Sequence, residues 1–176
     1  MDLGAVQSST GTSVNRTVYL SLGSNLGDRT ANLAQAVERL RTMGGGVIAQ
    51  SSLYETEPME VESAQPWYVN CALAMNTELE PEEFLRRVLA LEQAMGRHRC
   101  GYKAPRSIDI DIIFFADEII HTSDLIVPHP AMQYRRFVLE PLAEIAPEVR
   151  HPILDQTVRQ LLDNLPKEAG AVRKIS

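Results

Sequence analysis

The chain has 176 residues, enough for one domain and short for two, with 44% hydrophobic residues, 23% charged residues and a formal net charge of −6. That acidity counts against a protein that coats a long nucleic acid, and no apolar run is long enough to span a membrane. Cys71 and Cys100 stand far apart without CxxC spacing, which excludes a disulfide framework or zinc knuckle and suits a reducing cytoplasm.

Residues 1–16 are rich in Ser, Thr and Gly, carry no secretory signal pattern and read as a flexible N-terminal extension. Thr17–Leu22 reads as a strand that runs into the turn Gly23-Ser24-Asn25-Leu26-Gly27-Asp28. Asp28 is placed to cap a helix whose apolar positions Leu33, Val37 and Leu40 recur at helical spacing, and Gly44–Gly46 ends it. Val47–Tyr54 is predicted as a second strand, followed by an acidic loop over 55–67, and Val69–Thr77 as a third. Pro81, Glu82 and Glu83 open a second helix, striped by Leu85, Val88, Leu89 and Met95 and stopped by Gly96. Ile108–Phe115 is the clearest strand. Glu118–His121 and Leu125–Val127 suggest a hairpin, and Val138–Ala146 and Thr157–Leu165 suggest two closing helices. The order β-α-β-β-α-β predicts an α+β, ferredoxin-like core with an antiparallel sheet and both helices on one face, extended by the hairpin and the last helices. The expected organisation is a single domain over 17–166 with a tail at 167–176.

Charge is unevenly distributed. Eight carboxylates and no Lys or Arg lie between Glu55 and Glu83, whereas six basic residues face the single acid Glu92 between Arg86 and Arg106. The basic residues are 14 Arg and 3 Lys, and the planar Arg fork matches phosphate oxygens. In the strand Ile-Asp-Ile-Asp-Ile-Ile-Phe-Phe, period-two alternation puts Asp109 and Asp111 on the face opposite Ile108, Ile110 and Ile112. Two readings stand: a solvated sheet face, or a carboxylate pair that shares Mg²⁺ with substrate phosphates. The Arg-rich loop just upstream favours the second. There is no P-loop motif, and GSNLGD lacks the spacing of a dinucleotide fingerprint.

Three further features are open in the same way. Glu92 falls on or beside an apolar helix stripe and needs a partner, either an arginine of the 97–106 loop or a ligand. His129 stands between Pro128 and Pro130 on a stiffened loop, as a structural histidine or a phosphate contact shared with Arg135. Tyr68 and Asn70 share a strand face, as core packing or as a ring and an amide for a flat, nitrogen-rich heterocycle.

Taken together, Gly23-Ser24-Asn25-Leu26, Gln65-Pro66…Tyr68…Asn70, Glu92…Gly96-Arg97…Arg99, Pro105-Arg106…Asp109…Asp111 and Pro128-His129 resemble the 6-hydroxymethyl-7,8-dihydropterin pyrophosphokinase family, from about Val18 to Leu165. The resemblance implies transfer of pyrophosphate from ATP to the hydroxymethyl group of the pterin, giving AMP, in folate biosynthesis. It implies two Mg²⁺ ions on Asp109 and Asp111, with Arg97 and Arg106 as catalytic arginines. Glu92, Arg99, Arg106, His129 and Arg135 would line the ATP site. The pterin would lie between Tyr68 and Phe137, read at its edge by Asn70, with Thr56 and Pro58 on a mobile lid. A cytoplasmic monomer acting on small molecules, with neither nucleic acid nor membrane as partner, is the expected form. Lys103-Ala104 replaces the Trp-Gly of many members, and Glu60 stands where glycine is common. A non-enzymatic nucleotide-sensing module on the same fold would keep the phosphate cluster and lack the pterin pocket. A metal-dependent nucleic-acid enzyme would need a more basic surface.

Overall fold

The computed structural model describes residues 14–59, 64–97 and 104–176. Strand β1 (Arg16–Ser24) lies between β4 (Tyr68–Thr77) and β5 (Asp109–Phe115), both antiparallel to it. On the far side of β4, β2 (Val47–Gln50) and β3 (Tyr54–Thr56) pair with successive parts of that strand, and β8 (Val172–Lys174) pairs with β3. The sheet runs β5-β1-β4-β3-β8, with β2 also on β4. This is the antiparallel βαββαβ arrangement expected from the order of elements, with its second strand divided.

The division is made by contacts with residues distant in the chain. Ser51 turns its backbone N–H to the Ala72 carbonyl (2.9 Å), while its hydroxyl accepts from the Ala72 N–H (2.8 Å). Glu144 then captures the N–H and hydroxyl of Ser52 at 3.0 and 2.8 Å. Side-chain bonds of Ser51, Ser52 and Glu144 therefore interrupt the ladder between Gln50 and Tyr54.

Helix α1 (Arg29–Arg41) starts where Asp28 accepts from the Ala31 N–H at 3.0 Å, and α2 (Pro81–Ala94) starts on Pro81 with Glu82 and Glu83 in its first turn. Leu33, Ala36, Val37 and Leu40 of α1, with Phe84, Val88 and Leu91 of α2, pack on Val18, Leu20, Leu22, Leu73, Met75, Ile110 and Ile112. Both helices thus cover one face, as period-two alternation requires. The other face is only partly covered. Helices α3 (Arg136–Ile145) and α4 (Val158–Asp163), the latter opened by a Thr157–Gln160 capping box, pack on Ala72, Ile113, Phe114 and Tyr19. The hairpin β6 (Ile120–His121) and β7 (Ile126–Val127) forms where expected, and a short 3₁₀ turn at Met132–Tyr134 precedes α3.

The last residues correct the expected boundary, because 172–174 form a strand of the sheet rather than a tail. Short and polar, Val-Arg-Lys has no sequence signature of its own; β3 supplies the ladder it joins. Among the described residues no helix is long and apolar enough to cross a membrane.

One glycine is essential to the α1–β2 connection. Gly45 has φ +95°, and a Cβ there would meet the Asn76 carbonyl oxygen at 2.0 Å. We predict that Gly45→Ala destabilises the fold by about 2 kcal/mol or more, read by urea unfolding; unchanged stability would show that the turn relaxes freely.

Candidate functional site

The uncovered part of the second face is polar because of register. Asp109 lies opposite Gly23 on β1, and Gly23 opposite Asn70 on β4; Asp111 lies opposite Ser21, and Ser21 opposite Ala72. Asp109, Asp111, Ser21, Gly23, Tyr68 and Asn70 therefore stand on one face, while Leu22, Val69, Cys71 and Ile110 fill the core behind them. A cavity of about 540 Å³ opens on this patch. Arg97, Arg106, Asp109, Asp111, His129 and Arg135 line one part of it, and Thr56, Tyr68, Asn70 and Phe137 another.

The cationic part is assembled by the end of α2. Gly96, with φ +84°, lets the N–H of Arg97 bond the Glu92 carbonyl at 3.0 Å and its own N–H bond Gln93 at 3.1 Å. This Schellman turn folds Arg97 back onto its own helix. Its guanidinium bridges the Glu92 carboxylate and Asp109, the latter at 2.9 Å, and Arg106 holds the other Asp109 oxygen at 3.1 Å. Glu92 is only 2% exposed and also accepts from the Ile110 N–H at 2.7 Å. It lies beneath β5 and not among the cavity-lining residues, so it acts on Arg97 and β5. Arg97 is thus one partner of Glu92 in this structure. Burial raises its pKa, against the opposing pull of the Ile110 N–H and Arg97.

Among the described residues Asp111 has fewer ion-pair partners than Asp109. Burial, with the Asp109 charge beside it, pushes its pKa up to about 7. His129 is driven the other way, down to about 4, by burial and by Arg135. Its Nδ1 accepts from the Ala131 N–H at 3.1 Å, which assigns the proton of the neutral ring to Nε2.

At the other end of the cavity, Asn70 is 3% exposed and its amide donates to the Thr56 hydroxyl at 2.6 Å. The amide lies across Gly23, where a Cβ would meet Asn70 Oδ1 at 2.6 Å and Tyr68 Cδ1 at 3.4 Å. Gly23 is thus part of a strand and of the cavity floor, not of a turn. Asn25 ties the two walls together: it accepts from the Arg106 N–H at 2.9 Å and donates to Gln65 at 3.2 Å.

Most of the expected site residues converge, with three exceptions. Glu92 supports the site from behind. Pro58 is not among the lining residues, although its neighbours Glu57 and Met59 are. Arg99 lies outside the described residues, as do Lys103 and Glu60. The cavity also includes Ser21, Ala131 and Tyr134, whose sequence context carries no signal; they are placed by strand register and by the 3₁₀ turn. No group of three or more His, Cys, Asp or Glu able to hold a metal occurs among the described residues, so a cation here would rest on the Asp109–Asp111 pair and on oxygens of a ligand.

Comparison with known proteins bears on the family and the fold. The profile of the 7,8-dihydro-6-hydroxymethylpterin-pyrophosphokinase family matches residues 19–147. A 2-amino-4-hydroxy-6-hydroxymethyldihydropteridine pyrophosphokinase of Methylorubrum extorquens is 44% identical over 148 residues, covering 84% of this chain and 92% of that protein. The protein of the same name from Bacillus subtilis is 43% identical over 137 residues, covering 77% and 81%. The folic acid synthesis protein fol1 of Pneumocystis carinii is 37% identical over 86% of this chain, which spans only 20% of that longer relative. In structure, the chain superposes on wild-type HPPK-DHPS of Plasmodium falciparum with a TM-score of 0.70 at 19% identity, covering 85% of this chain and 43% of that one. That likeness supports the ferredoxin-like fold. With the family profile spanning the core and two bacterial relatives matched over most of their length, the chain belongs to the 7,8-dihydro-6-hydroxymethylpterin-pyrophosphokinase family.

Proposed function

We propose that the chain transfers a pyrophosphoryl group from ATP to the hydroxymethyl oxygen of 6-hydroxymethyl-7,8-dihydropterin, as a cytoplasmic monomer in folate biosynthesis. One observation carries this reading: a carboxylate pair with three arginines and a ring-and-amide pocket share a single cavity on one sheet face. A nucleotide-sensing module would need the first half alone.

Asp109 and Asp111 fit Mg²⁺, which takes oxygen ligands, keeps several waters and is completed by substrate phosphates. Two such ions would neutralise the phosphate chain and polarise the phosphorus under attack. Arg97 and Arg106, paired with Asp109 in the free protein, turn to phosphate oxygens when the nucleotide enters. His129 presents its Nε2–H as a neutral donor, and Arg135 adds a third cation. Tyr68 and Phe137 stack the pterin, and Asn70, steadied by Thr56, reads its edge.

The hydroxymethyl oxygen bonds to the β-phosphorus as the bond from that phosphorus to the α–β bridging oxygen breaks. That oxygen leaves on AMP, and the hydroxyl proton passes to solvent. Catalysis then rests on alignment and charge neutralisation, and no side chain is assigned as general base.

The purified protein with ATP, Mg²⁺ and the dihydropterin should form AMP, resolved by chromatography; ADP, or no nucleotide product, would overturn the assignment. Asp109→Ala and Asp111→Ala should each lower turnover on the order of 10²–10³-fold without unfolding the chain, and near-full activity at saturating Mg²⁺ would remove the metal role.

Gly23→Ala should displace the Asn70 amide and weaken pterin binding about tenfold or more while ATP binding holds, measured by calorimetry with each ligand. Equal pterin affinity in the variant would mean that the floor is not close-fitting.

The neutral His129 also predicts an acid limb in stability. Its folded pKa lies below the ordinary value, so the unfolded chain takes up a proton between about pH 6.5 and 4 that the folded ring refuses. This contribution is full above that window and is lost as pH falls through it. The unfolding free energy of His129→Asn should therefore fall less than that of the wild type between pH 7 and 4.5, and parallel pH profiles would refute the account.

A further inference from the structure

The edge strand β8 fastens one wall of the cavity from outside it. Its ladder with β3 pairs Tyr54 with Lys174, Glu55 with Arg173 and Thr56 with Val172. It continues beyond both ends: Ile175 N–H donates to Leu53 (2.9 Å) and Glu57 N–H to Ala171 (3.2 Å). The segment so held leads straight into the cavity, since Thr56, Glu57 and Met59 line it and Thr56 takes the Asn70 amide bond. Met59 also rests against Gly170, where a Cβ would lie 3.2 Å from its sulfur.

Side chains secure β3 on both faces. On the α1 side, Glu55 receives Arg173 on one oxygen at 2.5 Å and Arg29 on the other at 3.0 Å. Arg29, the first residue of α1, donates as well to the Trp67 carbonyl at 2.7 Å, one residue ahead of Tyr68. On the opposite face, Glu144 of α3 holds Tyr54 at 2.5 Å and Ser52, with Lys174 at 3.7 Å. One half-buried carboxylate, Glu55, therefore links the edge strand, the start of α1 and the backbone beside Tyr68. None of these charged groups lines the cavity.

We propose that Arg173 is a positioning residue for the heterocycle pocket, acting through Glu55 to hold Thr56–Met59 and, through Arg29, the approach to Tyr68. The assignment of that pocket to a dihydropterin rests on the function proposed above. Arg173 touches neither phosphate nor metal residues, so its effect falls on one substrate.

The test uses the full chain with ATP, Mg²⁺ and 6-hydroxymethyl-7,8-dihydropterin, and AMP formation by the wild type checks the reaction independently. Arg173→Ala should raise KM for the pterin about three- to fivefold, leaving kcat and KM for ATP within about twofold. Arg173→Lys should recover most of the loss. Glu55→Gln should give the same rise, and Arg173→Ala should add nothing in that background, because both act through one link. In the ligand-free protein, amide hydrogen exchange over Thr56–Met59 should quicken in Arg173→Ala, a readout that survives even if the reaction is assigned wrongly. Unchanged pterin KM, additive effects of the two substitutions, a parallel loss for both substrates, or unchanged exchange would each overturn the proposal. Arg173 is largely exposed, so the variant is expected to fold, and Glu55→Gln supports the same comparison if it does not.

Discussion

The period-two alternation of β1, β4 and β5 is the constraint on which the rest of this molecule depends. Residues that alternate with Leu20, Leu22, Leu73 and Ile110 cannot enter the core under α1 and α2, because adjacent strand positions point to opposite faces. They must either be covered by α3 and α4 or remain open. Where cover exists the positions are Tyr19, Ala72 and Phe114; where it ends they are Ser21, Gly23, Asn70, Asp109 and Asp111. Fold and site are thus two sides of one sheet, and a one-residue slip in β5 would exchange its carboxylates for core.

Charge is organised around the same limit. A carboxylate as buried as Glu92 is tolerable only when it is partnered, and Arg97 and the Ile110 N–H both meet its Oε1. Arg97 is thereby carried to Asp109, and Arg106 completes that carboxylate from the other side. The arrangement leaves Asp111 as the member of the pair with the least compensation, and burial beside Asp109 lifts its pKa. On the function proposed above, these guanidinia would be redirected by ligands and the carboxylates taken by a hard cation, so that a site balanced when free would be rebalanced when a phosphate chain and its metal arrive together. The net charge of −6 concealed this, because the +5 segment from Arg86 to Arg106 is offset by acids elsewhere.

The two ends of the cavity depend on packing of different kinds. The proposed phosphate end draws on ion pairs and a helix stop, all close in sequence between Glu92 and Asp111. The heterocycle end draws on residues spread from Gly23 to Phe137, and its outer wall is β3, a strand of three residues held between β4 and β8. A strand that short has little stability of its own, so its position is set by neighbours: Glu144 on one face, Glu55 with its two arginines on the other.

Much was legible in the residues themselves. Asp28 as a cap, Pro81 at a helix start, Gly96 as a helix stop and the alternation of Ile108–Phe115 are local signals, dictated by backbone geometry within a few residues. They delivered the βαββαβ order and the Asp109–Asp111 face, and the family resemblance supplied the roles proposed for them. What tertiary structure alone decided lay in non-local contacts. The break after Gln50 arises from Ser51 meeting Ala72 and Ser52 meeting Glu144, which lies 92 residues away in sequence. The floor made by Gly23 beneath Asn70 and the recruitment of Val172–Lys174 as an edge strand likewise depend on partners distant in the chain. Local periodicity specifies which face a side chain takes; only the closing of long loops specifies what stands opposite it.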